Sequence, residues 1–181
     1  MSRKYKFGDQ NKLHFISFSC VHWIDVFIRN IYKHELLKSI EHCCENKGLE
    51  VYGWCIMTSH VHMIIGTHGD KMEHIMRDFK RHTSTKMKDL LADNVDESRK
   101  DWLVWMMQRA GRKNGHNNDW QFWQQDNHPI EIISHEMFDQ KLNYIHQNPV
   151  EAGFVTKAED WLYSSAIDYA GGQGLLKIIV I

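Results

Sequence analysis

Several features that define other classes of protein are scarce in this chain of 181 residues. Only 2 prolines and 11 glycines are present, too few for a collagen-like or low-complexity chain, and the hydrophobic share of 43% is too high for a disordered one. The net charge of -1 gives no overall signal for nucleic-acid binding, so such binding would need a local basic patch. The remaining class is an ordinary globular chain of a size that fits one domain.

The cysteines and the apolar runs exclude two further classes. The four cysteines lack the spacing of a zinc site or of a disulfide framework, so we expect them to be reduced thiols. No signal peptide is recognisable at the N-terminus, and the apolar stretch at 175–181 is interrupted by Lys177 and too short to span a bilayer. We therefore expect a cytoplasmic protein with no membrane attachment.

Hydrophobic periodicity predicts an ordered series of strands and helices. Strands are predicted over 14–21, 49–57, 60–66 and 120–125, the middle two forming a tight hairpin around Thr58-Ser59. Helices are predicted over 30–47, 70–91 and 134–148, the last with Ser134 as its N-cap and Pro149 as its stop.

This order of elements is that of a ferredoxin-like split βαβ fold. It predicts an α+β protein with an antiparallel sheet, helices on one face and an added C-terminal helix that carries Tyr144. We expect one domain over residues 1–181, with a core over about 12–170 and a mobile insertion over 93–119, where glycine and asparagine become frequent. The tail at 175–181 could pair as a strand, either within the chain or across a dimer.

His60 and His62 are the first candidates for chemistry. Residues two apart on a strand point to the same face, so the two imidazoles should lie side by side. Two neutral imidazoles can chelate a divalent metal ion. An isolated His-x-His also arises often by chance as a pair of half-exposed polar residues, and the spacing alone leaves both interpretations open.

The last predicted helix offers partners for such a site. Tyr144 and Asn148 are four residues apart and share a helix face, with Lys141 on roughly the same side. A hydroxyl, an amide oxygen and an ammonium group would then line one surface. The alternative is that Tyr144 packs its ring on the sheet and that Asn148 only ends the helix.

The helix predicted over 70–91 has a locally basic face. Between residues 77 and 88 a single carboxylate, Asp78, is outnumbered by cations; they are Arg77, Lys80, Arg81, Lys86 and Lys88. Such a face suits a phosphate backbone, although a solvated helix face is the commoner explanation of a charge run.

Four ordered motifs and one further tyrosine resemble the single-tyrosine HUH transposases, and most closely the branch of REP-associated tyrosine transposases. They are 58–65 (TSHVHMII), 122–124 (FWQ), 144–153 (YIHQNPVEAG), 161–166 (WLYSSA) and Tyr169. Thr58-Ser59 stands where the family usually has Asn or Pro. The resemblance covers the chain from about residue 51 to residue 169.

The resemblance implies a metal site for Mg²⁺ or Mn²⁺ held by His60, His62 and Asn148, with Tyr144 as the nucleophile. It implies cleavage and rejoining of single-stranded DNA with hairpin or palindromic ends through a 5′-phosphotyrosine, by a homodimer that needs no nucleotide cofactor. The basic residues expected to contact this DNA are Arg77, Lys80, Arg81, Lys88 and Lys141.

Two other functions remain open at this stage. One is a domesticated DNA-hairpin-binding protein that no longer mobilises DNA. The other is a small metal-dependent hydrolase in which water is the nucleophile, so that Tyr144 would be dispensable for turnover.

Overall fold

The computed structural model describes residues 7–115, 119–125 and 127–181. The strands are β1 (His14–Ser19), β2 (Leu49–Ile56), β3 (His60–Thr67) and β4 (Ile130–Glu131). The helices are α1 (Asn30–Lys47), α2 (Met72–Asp93), α3 (Lys100–Arg112), α4 (His135–Glu151) and α5 (Ala166–Tyr169). Across the described ranges, none of these helices combines the length and the apolar character needed to cross a membrane.

Within the described residues, the strands form a four-stranded antiparallel sheet in the order β2-β3-β1-β4. Helix α1 connects β1 to β2, which have β3 between them, while α2 and α3 lie in the connection from β3 to β4, which have β1 between them. This interleaving is the split βαβ arrangement, so the predicted ferredoxin-like α+β fold is confirmed.

The two faces of the sheet carry separate hydrophobic cores. On one face, Ile16 and Phe18 pack with apolar residues of α1, α2 and α3. On the other face, Phe15 packs with Leu142 and Ile145 of α4. Alternation along β1 explains the division, because successive side chains of a strand point to opposite faces. The sheet therefore separates α4 from the other long helices.

A glycine allows α4 to lie close to the sheet. A Cβ atom at Gly53 of β2 would be 2.6 Å from Cδ1 of Leu142, and only a glycine leaves that space. The register between β2 and β3 shifts between Val51 and Gly53, so the close approach coincides with an irregularity in the strand. The position of α4, which carries Tyr144, thus depends on the missing side chain.

The strand predicted over 120–125 is not formed. The segment makes a single β-bridge, Trp123 with Cys20, and the last strand is instead Ile130–Glu131. The reason is that Phe122 and Trp123 are both buried in the same core, whereas neighbouring residues of a regular strand face opposite sides.

The predicted insertion over 93–119 contains a packed helix rather than a mobile loop along most of its length. Helix α3 occupies residues 100–112, and Leu103 and Met107 are fully buried against the core. The N-terminal end of α3 is held by the carboxylate of Glu97. This residue is 3% exposed and pairs with Arg29 and Arg99 at 3.0 Å each. Residues 116–118 of the predicted insertion lie outside the described residues.

Helix α4 begins as predicted but does not end as predicted. The Ser134 hydroxyl accepts a hydrogen bond from the Met137 amide at 3.1 Å, which is the expected N-cap. The helix runs through Pro149 to Glu151, so the predicted stop is wrong. Proline removes one helical hydrogen bond, but this one lies in the last turn, where its carbonyl accepts from the Phe154 amide at 2.9 Å.

The C-terminal part of the chain covers the free edge of β2. The Ile56 amide donates to the Tyr163 carbonyl at 2.9 Å, and farther along the strand the Ile179 amide donates to the Val51 carbonyl at 2.9 Å. The tail at 175–181 therefore meets the sheet within its own chain, through a backbone hydrogen bond and without forming a regular strand.

Candidate active site

His60 and His62 lie together at the start of β3, on the sheet face covered by α4. Their ring centroids are 4.8 Å apart and their planes are inclined by 76°. The ring of His62 also stacks on Phe15 of β1, with centroids 5.7 Å apart, because Phe15 lies opposite Ile64 on the same face. The strand period thus places the two imidazoles next to each other.

Both histidines are held in the neutral state at pH 7. His62 is 5% exposed, and its burial, together with the nearby His60, lowers its pKa to about 3. Burial also lowers the pKa of His60, although its hydrogen bond with Asn148 and the charge of Asp25 act in the opposite direction. Neutral imidazoles carry the lone pair that a metal ion requires.

The two ring nitrogens of His62 are buried without a hydrogen-bond partner among the described residues. A buried polar atom that makes no hydrogen bond costs free energy, so its persistence points to an additional binding partner. No group of three or more His, Cys, Asp or Glu side chains in the described part of the chain could hold a metal ion. A metal site at His62 would therefore need an oxygen donor of another type.

Asn148 is placed to be that donor. It lies one turn after Tyr144 on α4, is partly buried, and its side chain is near enough to His60 to raise the pKa of that imidazole. An amide oxygen is a suitable ligand for Mg²⁺ or Mn²⁺.

Tyr144 reaches the same site from α4. Its ring meets His62 edge-on, with centroids 5.2 Å apart, and Phe15 at 5.9 Å. The side chain is 44% exposed, so the phenol is accessible from solvent, whereas His60 is partly buried and His62 is buried beneath it. Lys141, three residues earlier, places its Nζ 5.2 Å from the centroid of Phe15. The helical spacing therefore brings a phenol to His62 and a cation to the neighbouring ring of Phe15.

The turn before β3 orients His60. The Ser59 hydroxyl is 3.2 Å from Nδ1 of His60, and the Thr58 hydroxyl donates to Oδ1 of Asp25 at 2.6 Å. Hydrogen bonds of this kind fix the orientation of a ligating imidazole. Thr58 and Ser59, which depart from the expected Asn or Pro, thus have a definite structural role.

The basic residues predicted on α2 lie on the other face of the sheet from Tyr144. Nζ of Lys80 donates to the Gln124 carbonyl at 2.7 Å and to Oδ1 of Asn127 at 2.9 Å, and Arg77 pairs with Asp78 at 3.0 Å. Arg81 lines a groove of about 590 Å³ between α1 and α2, and Lys88 lies over the ring of Trp120. A role for these residues in DNA binding stays a prediction.

Sequence reasoning did not single out Phe15 or Trp23, whose rings contact His62 and His60 respectively. The contact of Phe15 with His62 could have been predicted from the sequence. The predicted topology places β1 beside β3, and the alternation of side chains along β1 then puts Phe15 on the same sheet face as the histidines. Trp23 follows β1 in a segment whose backbone conformation has no recognisable sequence pattern.

Residues 10–108 of the chain match the family described as "Transposase IS200 like". A solved structure of the REP associates tyrosine transposase bound to a REP hairpin is similar over 94% of this chain and 86% of that chain, with 17% identity and a TM-score of 0.67. At that identity the likeness shows a shared fold. No curated protein matches the sequence. Because the family match spans more than half of its length, the chain belongs to the family of IS200-like transposases.

Proposed function

We propose that this chain is a divalent-metal-dependent transposase that cleaves and rejoins single-stranded DNA with Tyr144 as its nucleophile. The observation that carries the proposal is the meeting of two distant segments at one site. The ring centroids of His62 of β3 and Tyr144 of α4 are 5.2 Å apart, and Asn148 of α4 is near enough to His60 to raise its pKa. More than eighty positions of sequence separate the two segments, and the fold brings all four residues together.

The donor set fits Mg²⁺ or Mn²⁺ held by His60, His62 and Asn148. Two neutral imidazoles lie edge to face, an amide side chain lies near one of them, and the buried nitrogens of His62 have no protein partner in the described residues. A bound ion would polarise the scissile phosphate and offset the negative charge that develops on it.

Tyr144 supplies the attacking oxygen. A phenol is a weak nucleophile at neutral pH, so it must lose its proton as its oxygen bonds to phosphorus. That bond forms while the bond from phosphorus to the 3′ oxygen breaks, and the 3′ oxygen takes up a proton. The products are a 5′-phosphotyrosine and a free 3′-hydroxyl. A second 3′-hydroxyl can then attack the same phosphorus and release Tyr144, which rejoins strands without ATP.

The substrate we propose is single-stranded DNA with hairpin ends. The similar solved structure is bound to a REP hairpin, and the site of this chain is open on the side where Tyr144 is exposed. Lys141 supplies a positive charge for the phosphate backbone at the cut. Tyr144 lies beside His62 of its own chain, and the homodimer stays a prediction.

The experiment is a covalent-adduct assay. The purified protein is incubated with Mn²⁺ or Mg²⁺ and labelled single-stranded hairpins from the flanks of its gene, and the products are separated on a denaturing gel. We expect a band that carries both protein and label, and its loss in Tyr144→Phe. Tyr52→Phe is the matched control, because the Tyr52 hydroxyl bonds to Glu50 and its removal should leave the adduct intact.

Two outcomes would contradict the proposal. Cleavage that survives in Tyr144→Phe with no adduct in either protein would indicate a hydrolase that uses water. Hairpin binding without cleavage, with either metal, would indicate a domesticated DNA-binding protein.

A further inference from the structure

Trp23 is an exposed aromatic residue at the rim of the proposed site. Its side chain is 58% exposed, although its ring centroid is only 5.4 Å from that of His60. The two rings meet edge to face at 67°, so much of the indole remains open to solvent. Trp54, by contrast, is fully buried in the core. A large apolar ring left in water beside a candidate metal ligand requires an explanation other than core packing.

The backbone at this position is in a conformation that bulky residues rarely adopt. His22 and Trp23 have φ angles of 56° and 55°, both in the left-handed region. Two consecutive non-glycine residues of this kind cost free energy, and such conformations concentrate at functional sites. A glycine would adopt the same turn at lower cost, so the presence of a tryptophan points to a role for its side chain.

The segment that carries Trp23 is held firmly at both ends. The Cys20 amide donates to the Ser59 carbonyl at 2.8 Å, and the Phe27 amide donates to the Thr58 carbonyl at 2.8 Å. Both anchors are made to the turn that precedes His60. The position of the indole is therefore fixed relative to the imidazole, as a preorganised binding surface requires.

We propose that Trp23 is a stacking platform for an unpaired base next to the scissile phosphate. This inference rests on the proposed function, because it takes His60 as a metal ligand that lies beside the phosphate. A base adjacent to that phosphate would come within reach of the ring that touches His60. Stacking on an aromatic side chain requires no particular base, since every base has a π-face. Trp23 would thus set the register of the strand at the cut, while hairpin recognition lies elsewhere.

The test combines protein variants with altered DNA. Single-stranded hairpins that span the cleavage site receive one abasic nucleotide at a time, and binding is measured by fluorescence anisotropy in a Tyr144→Phe background that prevents cleavage. At one position next to the cut, the abasic nucleotide should weaken binding about 5- to 150-fold. In a protein that also carries Trp23→Ala, the same abasic nucleotide should cause no further loss of affinity.

Further variants separate stacking from structural effects. Trp23→Phe should retain most of the affinity, because it keeps an aromatic face. Trp23→Gly relieves the left-handed strain, so it should fold at least as well as the parent and yet lose the abasic-site effect. Trp102→Ala is the matched control, since Trp102 is 49% exposed on α3, which packs on the other face of the sheet.

The inference would be overturned if an abasic nucleotide weakened DNA binding equally, at every position, in proteins with Trp23 and with Trp23→Ala. It would also be overturned if Trp23→Ala changed only the affinity for Mn²⁺. In both cases adduct formation through Tyr144 would persist, so the proposed function would stand. Absence of any binding to single-stranded DNA by the parent would instead overturn the proposed function and this inference together.

Discussion

The buried side chain of His146 should make the stability of the protein depend on pH in the acid range. It is 9% exposed, its Nε2 is 2.9 Å from the Ser165 hydroxyl, and burial lowers its pKa to about 4 from the ordinary 6.5. Between these two values the unfolded chain binds more protons at this residue than the folded chain does. Acid therefore favours unfolding, and the stabilisation that is complete above pH 6.5 is lost as the pH falls towards 4.

The size of the effect follows from proton linkage. A difference of one pKa unit is equivalent to about 1.4 kcal/mol, so the whole difference at His146 corresponds to roughly 3 kcal/mol. Between about pH 7 and about pH 5 the same relation gives a loss of about 2 kcal/mol in the free energy of unfolding.

The assay is urea unfolding of the metal-free protein at several pH values, with His146→Gln as the reference. The glutamine amide nitrogen can take the place of Nε2 beside Ser165, but it does not titrate. His62 also has a lowered pKa, but it is present in both proteins and its contribution cancels in the difference. We expect the parent to lose about 2 kcal/mol more than the variant over this range. Equal losses in the two proteins would refute the reasoning.

Two further predictions concern the surroundings of the site and the fold. Ser59→Ala removes the hydroxyl 3.2 Å from Nδ1 of His60 and should weaken Mn²⁺ binding roughly 10- to 100-fold in a titration, whereas an unchanged affinity would show that the hydroxyl does not orient the ring. Leu103→Ala empties a fully buried position on α3 and should lower the free energy of unfolding by about 2–5 kcal/mol, far more than Trp102→Ala on the exposed side of the same helix. Similar small effects of both changes would mean that α3 is not part of the cooperative fold.

The elements that the sequence predicts well are those whose pattern comes from one buried face. Helix α1 occupies residues 30–47 as predicted, and its C-cap, Gly48, has a φ of 72° that glycine adopts without strain. The β2–β3 hairpin is also where alternation and turn residues place it. The positions of His60 and His62 follow from this hairpin alone, because strand period fixes which residues share a face.

The elements that it predicts poorly depend on contacts between distant segments. Helix α3 lies among charged residues, and its burial rests on Leu103 and Met107 meeting a core formed by other parts of the chain. The segment at 120–125 is rich in aromatic residues, which suggests a strand, but tertiary packing buries Phe122 and Trp123 on the same side. Similarly, the contact of Trp23 with His60 depends on two left-handed residues that no local pattern indicates.

The covered edge of β2 has a consequence for how copies of this protein can associate. An exposed edge strand is a template on which another chain can add its own strand, and it is a common origin of aggregation. Here the amide of Ile56 and the carbonyl of Trp54 are already bonded to Tyr163 and Ser165, so a second copy could extend the sheet past β2 only by displacing that segment. Two copies that pair would therefore have to meet at another surface. A recombinant version shortened before Trp161 would expose the unpaired backbone groups of β2 and should aggregate more readily.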